Sequence, residues 1–273
     1  MSRDIVSQFE ALYSEHSDTQ VEDRRFQWHN TFYHGPLFKW AHIEHYHTNP
    51  KIEVFHTVVM PWIWQGIPIF GLDLVMIAGN VTMICADFTP TEDRNQEWAL
   101  DRLPHPHRFE AFQDLEPRDT PEWAHFFSDE CLFLHTPEST EQAFDIVQSV
   151  YLDRLDRQYF GLLEEIQQNP ARQLNFMGHW EGQQAYVENQ RKNDKTFKSL
   201  KADVGEKEAT FFMRNVLFPD VPLTIEELEK ATTIRHARRE RLTHRLVSKA
   251  VQKQDAIQPA STLFTNLSDK THV

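Results

Sequence analysis

The sequence predicts an α+β fold built on an antiparallel sheet. Three observations carry that expectation: four strand-like runs lie between residues 38 and 88, the gaps between them are too short for crossover helices, and the second half of the chain reads as helix. Residues 4–14 come first, with Ile5, Val6, Phe9, Leu12 and Tyr13 spaced as one face of a short amphipathic helix. A polar link covers Asp18 to Arg25. The runs 38–46, 52–60, 69–77 and 81–88 then follow as a meander. Their breakers are Thr48-Asn49-Pro50, Gly66-Ile67-Pro68 and the hairpin-like Gly79-Asn80.

Pro90 to Pro121 is polar and reads as loop with some helix, and Glu130 to His135 as a fifth strand. Thr136-Pro137-Glu138 opens a helix, proline being tolerated in a first turn. Its apolar stripe (Phe144, Val147, Val150, Tyr151, Leu155, Leu162) runs up to Asn169-Pro170. A second helical region covers 184–202, ends near Gly205 and resumes from Glu206 to Phe218. Thr224 and Glu227 form a capping-box pair that opens a very basic helix of about 224–253. The last twenty residues are polar and are expected to be disordered. The expected organisation is a main domain over 1–222, an extra basic helix over 223–254 and a tail over 255–273. No internal repeat is present.

Composition narrows the function. A chain of 273 residues with 40% hydrophobic content can bury a substantial core. A net charge of −13 argues against general nucleic-acid binding and against docking on anionic lipid, while leaving room for a local basic patch. Two cysteines, Cys85 and Cys131, sit in apolar runs and offer neither a disulfide framework nor zinc spacing; buried thiols in a reducing compartment are expected. The N-terminus carries Asp4, Glu10 and Glu15, unlike a signal peptide, and no apolar run reaches membrane-spanning length. A cytoplasmic monomer is expected.

Polar residues interrupt the strands in a pattern. Alternation puts Trp40, His42, Glu44 and Tyr46 on one face of the first strand. Ile52, Val54, His56, Val58 and Met60 share a face of the second, and Ile69, Gly71, Asp73, Val75 and Ile77 a face of the third. Three neighbouring strands thus carry Glu44, His56 and Asp73. At a strand spacing of about 4.8 Å they would meet in one small-molecule site if those faces coincide. Taken singly, each is better explained as a hydrogen-bonded core group or a solvated one. Asp73 is the hardest to dismiss, since an unpaired carboxylate among Phe70, Leu72, Leu74 and Val75 is costly to bury. The fifteen histidines raise a metal-dependent hydrolase as a competing reading. In His42-Ile43-Glu44-His45-Tyr46-His47, however, a strand turns His42 and Glu44 away from His45 and His47, so the four cannot converge. No phosphate loop or nucleophile elbow is present.

Several blocks resemble the ferredoxin-dependent bilin reductases. His56-Thr57-Val58-Val59-Met60-Pro61 and Pro68-Ile69-Phe70-Gly71-Leu72-Asp73-Leu74-Val75 are similar to the family's central strands, and Ile84-Cys85-Ala86-Asp87-Phe88-Thr89-Pro90 to the strand that follows. Phe127-Ser128-Asp129-Glu130-Cys131-Leu132-Phe133 resembles a further block. The most specific match is Gln190-Arg191-Lys192-Asn193-Asp194-Lys195-Thr196, with Phe212-Met213-Arg214-Asn215-Val216-Leu217-Phe218 after it. The blocks keep family order over roughly residues 38–219.

The resemblance implies a three-layer α/β/α sandwich with a central antiparallel sheet, holding a bilin between the sheet and the C-terminal helices. It implies that Glu44, His56 and Asp73 line one pocket, with Asp194, taken as mid-helix, on the opposite wall. Arg118 and Lys195 are implied as propionate partners. The substrate implied is biliverdin, with reduced ferredoxin as an external electron donor and no bound cofactor. Glu, His and Asp at these positions resemble the branch that forms phycocyanobilin; branches forming phycoerythrobilin or phytochromobilin tend to carry Asn at position 56. Asp73 is the expected proton donor, His56 its relay, and Glu44 the group serving a vinyl protonation. The alternatives are reduction of biliverdin to phycoerythrobilin or another phycobilin by the same fold, and a silent bilin- or haem-binding carrier on that fold. Trp62-Ile63-Trp64-Gln65 departs from the pattern and is expected to reshape a pocket edge. An acidic donor needs a local positive surface, and two are offered. One is Arg191, Lys192, Lys198 and Lys201, and the other is Arg235, Arg238, Arg239, Arg241 and Arg245 on the extra helix.

Overall fold

The computed structural model describes residues 2–49, 51–92, 99, 101–103, 119, 121–135, 140–169 and 175–257. The chain divides into two compact units, Met1–Glu227 and Leu228–Val273. Within the first, helix α1 (Ser2–Glu15) precedes seven strands: β1 Thr19–Glu22, β2 His29–Gly35, β3 Phe38–Asn49, β4 Ile52–Met60, β5 Ile69–Ile77, β6 Asn80–Thr89 and β7 Leu132–Leu134. They form a single sheet in sequence order, and every neighbouring pair is antiparallel. Short connections dictate that outcome, since a parallel neighbour needs a crossover of a dozen residues or more. The β5–β6 hairpin turns at Ala78 (φ 51°) and Gly79 (φ 84°), the pair of positive φ values that a two-residue turn matched to strand twist requires. Asn80 is therefore the first paired residue of β6, opposite Ile77, rather than part of the turn.

Two strands add to the sequence expectation. β2 continues the meander ahead of β3, and β1 occupies half of the expected polar link. Thr19-Gln20-Val21-Glu22 is exposed along its whole length and offers no apolar alternation to read, as is common for an edge strand.

Helices cover both faces of the sheet. On one, Phe9 of α1 meets Phe55 at 5.2 Å between ring centroids, and the Tyr13 hydroxyl bonds Thr57 Oγ1 at 2.7 Å. Tyr159, in the helical run Thr140–Gln168, packs on Phe70 and Phe88 of the same face. That run comprises α2 (Thr140–Ile146), two π-helical stretches at Val147–Leu152 and Leu155–Phe160, and α3 (Gly161–Gln168). The other face packs on α4 (Phe176–Gln190), α5 (Asp194–Val204) and α6 (Glu206–Phe212), the last continuing in a π-helical turn at Met213–Leu217. Trp28, Tyr46, Val58, Met60 and Ile69 of the sheet side cluster there with Val187, Leu200, Phe212 and Val216. The result is the expected three-layer α/β/α sandwich.

Helix α7 runs from Ile225 to Ile257. Thr224 and Glu227 cap it reciprocally: the Glu227 carboxylate accepts the Thr224 N–H at 3.0 Å, and Thr224 Oγ1 accepts the Glu227 N–H at 3.1 Å. Residues 258–273, the greater part of the expected tail, lie outside the described residues. No helix among the described residues is long and apolar enough to cross a membrane.

Candidate active site

Register decides the site. Across β2 to β7, Asn30 pairs with Glu44, Glu44 with His56, His56 with Asp73, Asp73 with Cys85 and Cys85 with Phe133. Directly paired residues point to the same side of a sheet, so one row crosses six strands and gathers two carboxyls, an imidazole and a thiol on a single face. His56 Nδ1 lies 2.7 Å from Asp73 Oδ1, an N–H donating to the carboxylate. Trp28 Nε1 donates to Glu44 Oε1 at 3.1 Å, and Asn30 Nδ2 donates to the Trp28 carbonyl at 3.2 Å, which ties down the Trp28 backbone.

Glu44 and His56 are buried, whereas the Asp73 side chain remains 27% exposed. That exposure falls on a cavity of about 290 Å³. Its sheet wall includes Glu44, Tyr46, His56, Asp73, Val75 and Cys85; its helix wall includes Gln190, Asn193, Lys195, Thr196, Leu200 and Phe218. The Phe218 ring meets His56 edge-on at 5.7 Å. A second cavity of about 10 Å³, room for a single water, adjoins Asp73, Cys85, Asp87, Tyr186 and Gln190. Gly71 belongs to its lining because a Cβ there would stand 3.0 Å from the Tyr186 hydroxyl. Tyr186 is held by Gln190 Nε2, which donates to it at 3.1 Å.

Burial sets the proton affinities. It pushes Glu44 up to about 7 and the Asp73 carboxylate adds to the shift, against the opposing pull of His56 and the Trp28 bond. For His56, burial pushes down, but the charge and hydrogen bond of Asp73, with Glu44 beyond, together hold it above the usual histidine value. His42, on the Glu44 face of β3, is pushed well below that value by burial and then by His56 and His29. Neither of its ring nitrogens has a hydrogen-bond partner among the described residues. The Cys85 thiol is raised well above its usual range by its hydrogen bond with Cys131 and by burial, so it stays protonated. Asp87, two residues along β6, is raised by burial although it accepts from Thr89 Oγ1 at 2.6 Å and from the Ser128 N–H at 2.9 Å.

The structure thus gathers Glu44, His56 and Asp73, and adds Lys195 from the helix side. It does not gather Asp194. Asn193 caps a new helix, its side chain accepting the Thr196 N–H at 3.3 Å, so Asp194 opens the first turn of α5 instead of sitting mid-helix. Its carboxylate is exposed, bonds Lys198 and lies outside the cavity lining. Hydrogen bonding to Lys198 and then that ammonium's charge hold it below the usual carboxylate range. Arg118 falls outside the described residues. Trp62, Ile63, Trp64 and Gln65 are not cavity residues either: Gln65 accepts the Trp62 N–H and donates to the Leu37 carbonyl, bracing the β2–β3 turn. Cys131 is half-buried just ahead of β7 rather than fully buried. Of the first basic cluster, Arg191 is committed to structure, donating to the Arg214 and Phe218 carbonyls and to Asp220. Lys198 and Lys201 pair with Asp194 and Glu206.

His45 and His47 lie on the other face from His42, as alternation requires; His45 bonds Glu53 at 2.7 Å and His47 the His45 carbonyl at 2.9 Å. Among the described residues no group of three or more His, Cys, Asp or Glu is arranged to hold a metal ion. Sequence reasoning missed Trp28, Asn30, Tyr186, Gln190 and Asn193, and treated Cys85 only as a buried thiol. The spacing Trp28-x-Asn30-x-Phe32 was a readable strand signal, and Asn193 a readable helix start.

With that geometry fixed, the comparisons decide the family. A family model described as ferredoxin-dependent bilin reductase matches residues 5–219. The chain belongs to the ferredoxin-dependent bilin reductases. It is 29% identical over 205 residues to a phycocyanobilin:ferredoxin oxidoreductase of Trichodesmium erythraeum, covering 73% of this chain and 79% of that one. It is 31% identical over 214 residues to the enzyme of the same name from a Synechococcus species, covering 74% and 79%. Two solved structures share the fold at 15% identity: PcyX, at a TM-score of 0.53 over 81% of this chain and all of that one, and tomato phytochromobilin synthase in complex with biliverdin, at 0.54 over 80% of each. This bilin reductase is accordingly an oxidoreductase, and α7 lies beyond the segment that the family model matches.

Proposed function

We propose that this bilin reductase converts biliverdin to phycocyanobilin, taking single electrons from reduced ferredoxin and matching each with a proton from its own side chains. A conjugated tetrapyrrole accepts single electrons by itself, so the protein needs no bound cofactor; it holds the pigment and supplies protons through bilin radicals. One observation carries this reading: Glu44, His56 and Asp73 share a row on one wall of the cavity, with His56 and Asp73 hydrogen-bonded at 2.7 Å.

Asp73 is the proton donor to the pigment, because it alone of the three is open to the cavity by a quarter of its side chain. His56 reloads it through their shared bond; its raised proton affinity favours the charged, proton-giving form. Glu44, pushed up to about 7, exchanges its proton readily near neutral pH and serves the vinyl group. Lys195 binds a propionate from the helix side, and Arg118 is the second candidate for that role. The names of the relatives from Trichodesmium and Synechococcus support phycocyanobilin as the product. The acidic, free-thiol chain supports a cytoplasmic monomer.

The test is an anaerobic assay with biliverdin, ferredoxin and a reductant, with products identified by absorbance and chromatography. Phycocyanobilin is expected. Phycoerythrobilin as sole product would overturn the product assignment, and biliverdin bound but unchanged would make the protein a carrier.

A further inference from the structure

We infer that helix α7 is a recruiting arm for ferredoxin, added beyond the family's own segment. This rests on ferredoxin being the electron donor, and does not depend on which phycobilin is made. The difficulty it answers is electrostatic. The chain carries −13, and ferredoxin is itself acidic, so the two repel at long range unless a positive surface intervenes. On the helices beside the cavity, Arg191 is bonded to carbonyls and Asp220, Lys198 to Asp194 and Lys201 to Glu206, while Lys195 lines the cavity itself, which leaves little free positive surface there.

Residues 228–257 have the opposite composition, with eight Lys or Arg against three Asp or Glu. Arg235, Arg239 and Arg245 are exposed and form no ion pair with a described residue of their own unit. Among the described residues Arg241 bonds only the Ala237 carbonyl of its own helix, at 3.4 Å. Between and beside these arginines stand Leu242, Leu246 and Val247, 49%, 67% and 56% exposed. Exposed leucines rimmed by unpaired guanidinium groups are the composition of a protein contact, apolar at the centre and charged at its edge.

The chemistry selects the partner. Arginine outnumbers lysine along this stretch, and its planar fork matches carboxylates in pairs. Leu242, Leu246 and Val247 cluster within two turns, with exposed Leu228 far along the helix from them, and so small a patch lacks the broad buried face that stable insertion at a lipid surface needs. They suit the small, electrostatically steered contact typical of electron-transfer partners. Holding ferredoxin on the same chain that carries the bilin site raises its effective concentration there.

The test uses the full-length protein and the variant Arg239→Glu/Arg241→Glu/Arg245→Glu, with circular dichroism to establish an intact helix. Binding of oxidised ferredoxin is measured by calorimetry at low and high salt, and turnover is followed against ferredoxin concentration. The variant is expected to raise both Kd and KM for ferredoxin about tenfold, with kcat at saturating ferredoxin unchanged and a shallower salt dependence. Leu242→Ser/Leu246→Ser is expected to raise them severalfold without altering the salt slope. Unchanged Kd and KM in both variants would overturn the assignment. So would finding that the arginine variant alters only sedimentation, meaning that α7 docks on a second copy of this chain. Loss of binding to phosphatidylserine vesicles with an unaltered ferredoxin KM would overturn it in favour of a membrane. Because the binding arm needs no bilin turnover, a wrong product or an inactive enzyme leaves it readable.

Discussion

The two walls of the cavity are built on different physics. On the sheet side, Glu44, His56 and Asp73 are fixed by strand register, two of them buried, and each tied to a neighbour on the next strand or to Trp28. On the helix side the charged lining residue, Lys195, is exposed, and its neighbours just outside the lining pair on the surface, as Lys198 does with Asp194 and Lys201 with Glu206. A group locked in a desolvated row has its proton affinity set by its neighbours, whereas an exposed one is governed by water and salt. Proton chemistry therefore belongs to the sheet wall, and binding and orientation to the helix wall.

The strongest way to break that division is Asp73→Asn. It preserves shape and removes the acid–base group, and turnover is expected to fall about a thousandfold while biliverdin still binds. Anaerobic absorbance should show a radical or partly reduced bilin accumulating; full turnover would move the donor elsewhere. Next in size is Glu44→Gln, expected to cost about a hundredfold in the vinyl reduction and to leave a two-electron product detectable by chromatography.

Glu44 also makes a stability prediction with a definite sign. Its folded-state value of about 7 lies above the ordinary carboxylate value of 4.5, so the folded protein binds the extra proton between those limits. Stability should fall as pH rises through that window, by about 3 kcal/mol in all, and level off above it. His56, raised as well, acts in the same direction: its contribution is present at low pH and is lost as pH rises through its folded value. Urea midpoints across this range should slope downward in the wild type and more shallowly in Glu44→Gln.

The helix wall should respond differently. Lys195→Gln is expected to raise KM for biliverdin about tenfold with kcat little changed, as loss of uniform binding requires. Asp194→Asn sets the smallest expectation, a change in turnover within about twofold, because an exposed ion pair contributes little. A large loss there would restore Asp194 to the chemistry and break the division of roles.

Legibility in the sequence followed the same division. The faces carrying Glu44, His56 and Asp73 were readable because side chains alternate with period two whatever the register. Their coincidence in one row was not, since register depends on turn geometry, here the positive-φ pair Ala78-Gly79 among others. On the helix side, a single amphipathic run through 184–202 hid the break at Arg191 to Asn193, and that break turns Asp194 outward. An asparagine before a charged residue was the available sign, weak among so many polar residues. β1 gave no apolar pattern at all, and Trp28 with Asn30 gained meaning only when β2 was paired to β3.

A crystal structure of the complex with biliverdin tests the central claim most directly. Its expected result is a tetrapyrrole lying between β3–β6 and α5, with the Asp73 carboxyl and the His56 ring within hydrogen-bond reach of pyrrole nitrogens or the lactam oxygens. A pigment seated on the α1 side of the sheet, or with Asp73 turned away from it, would contradict the account.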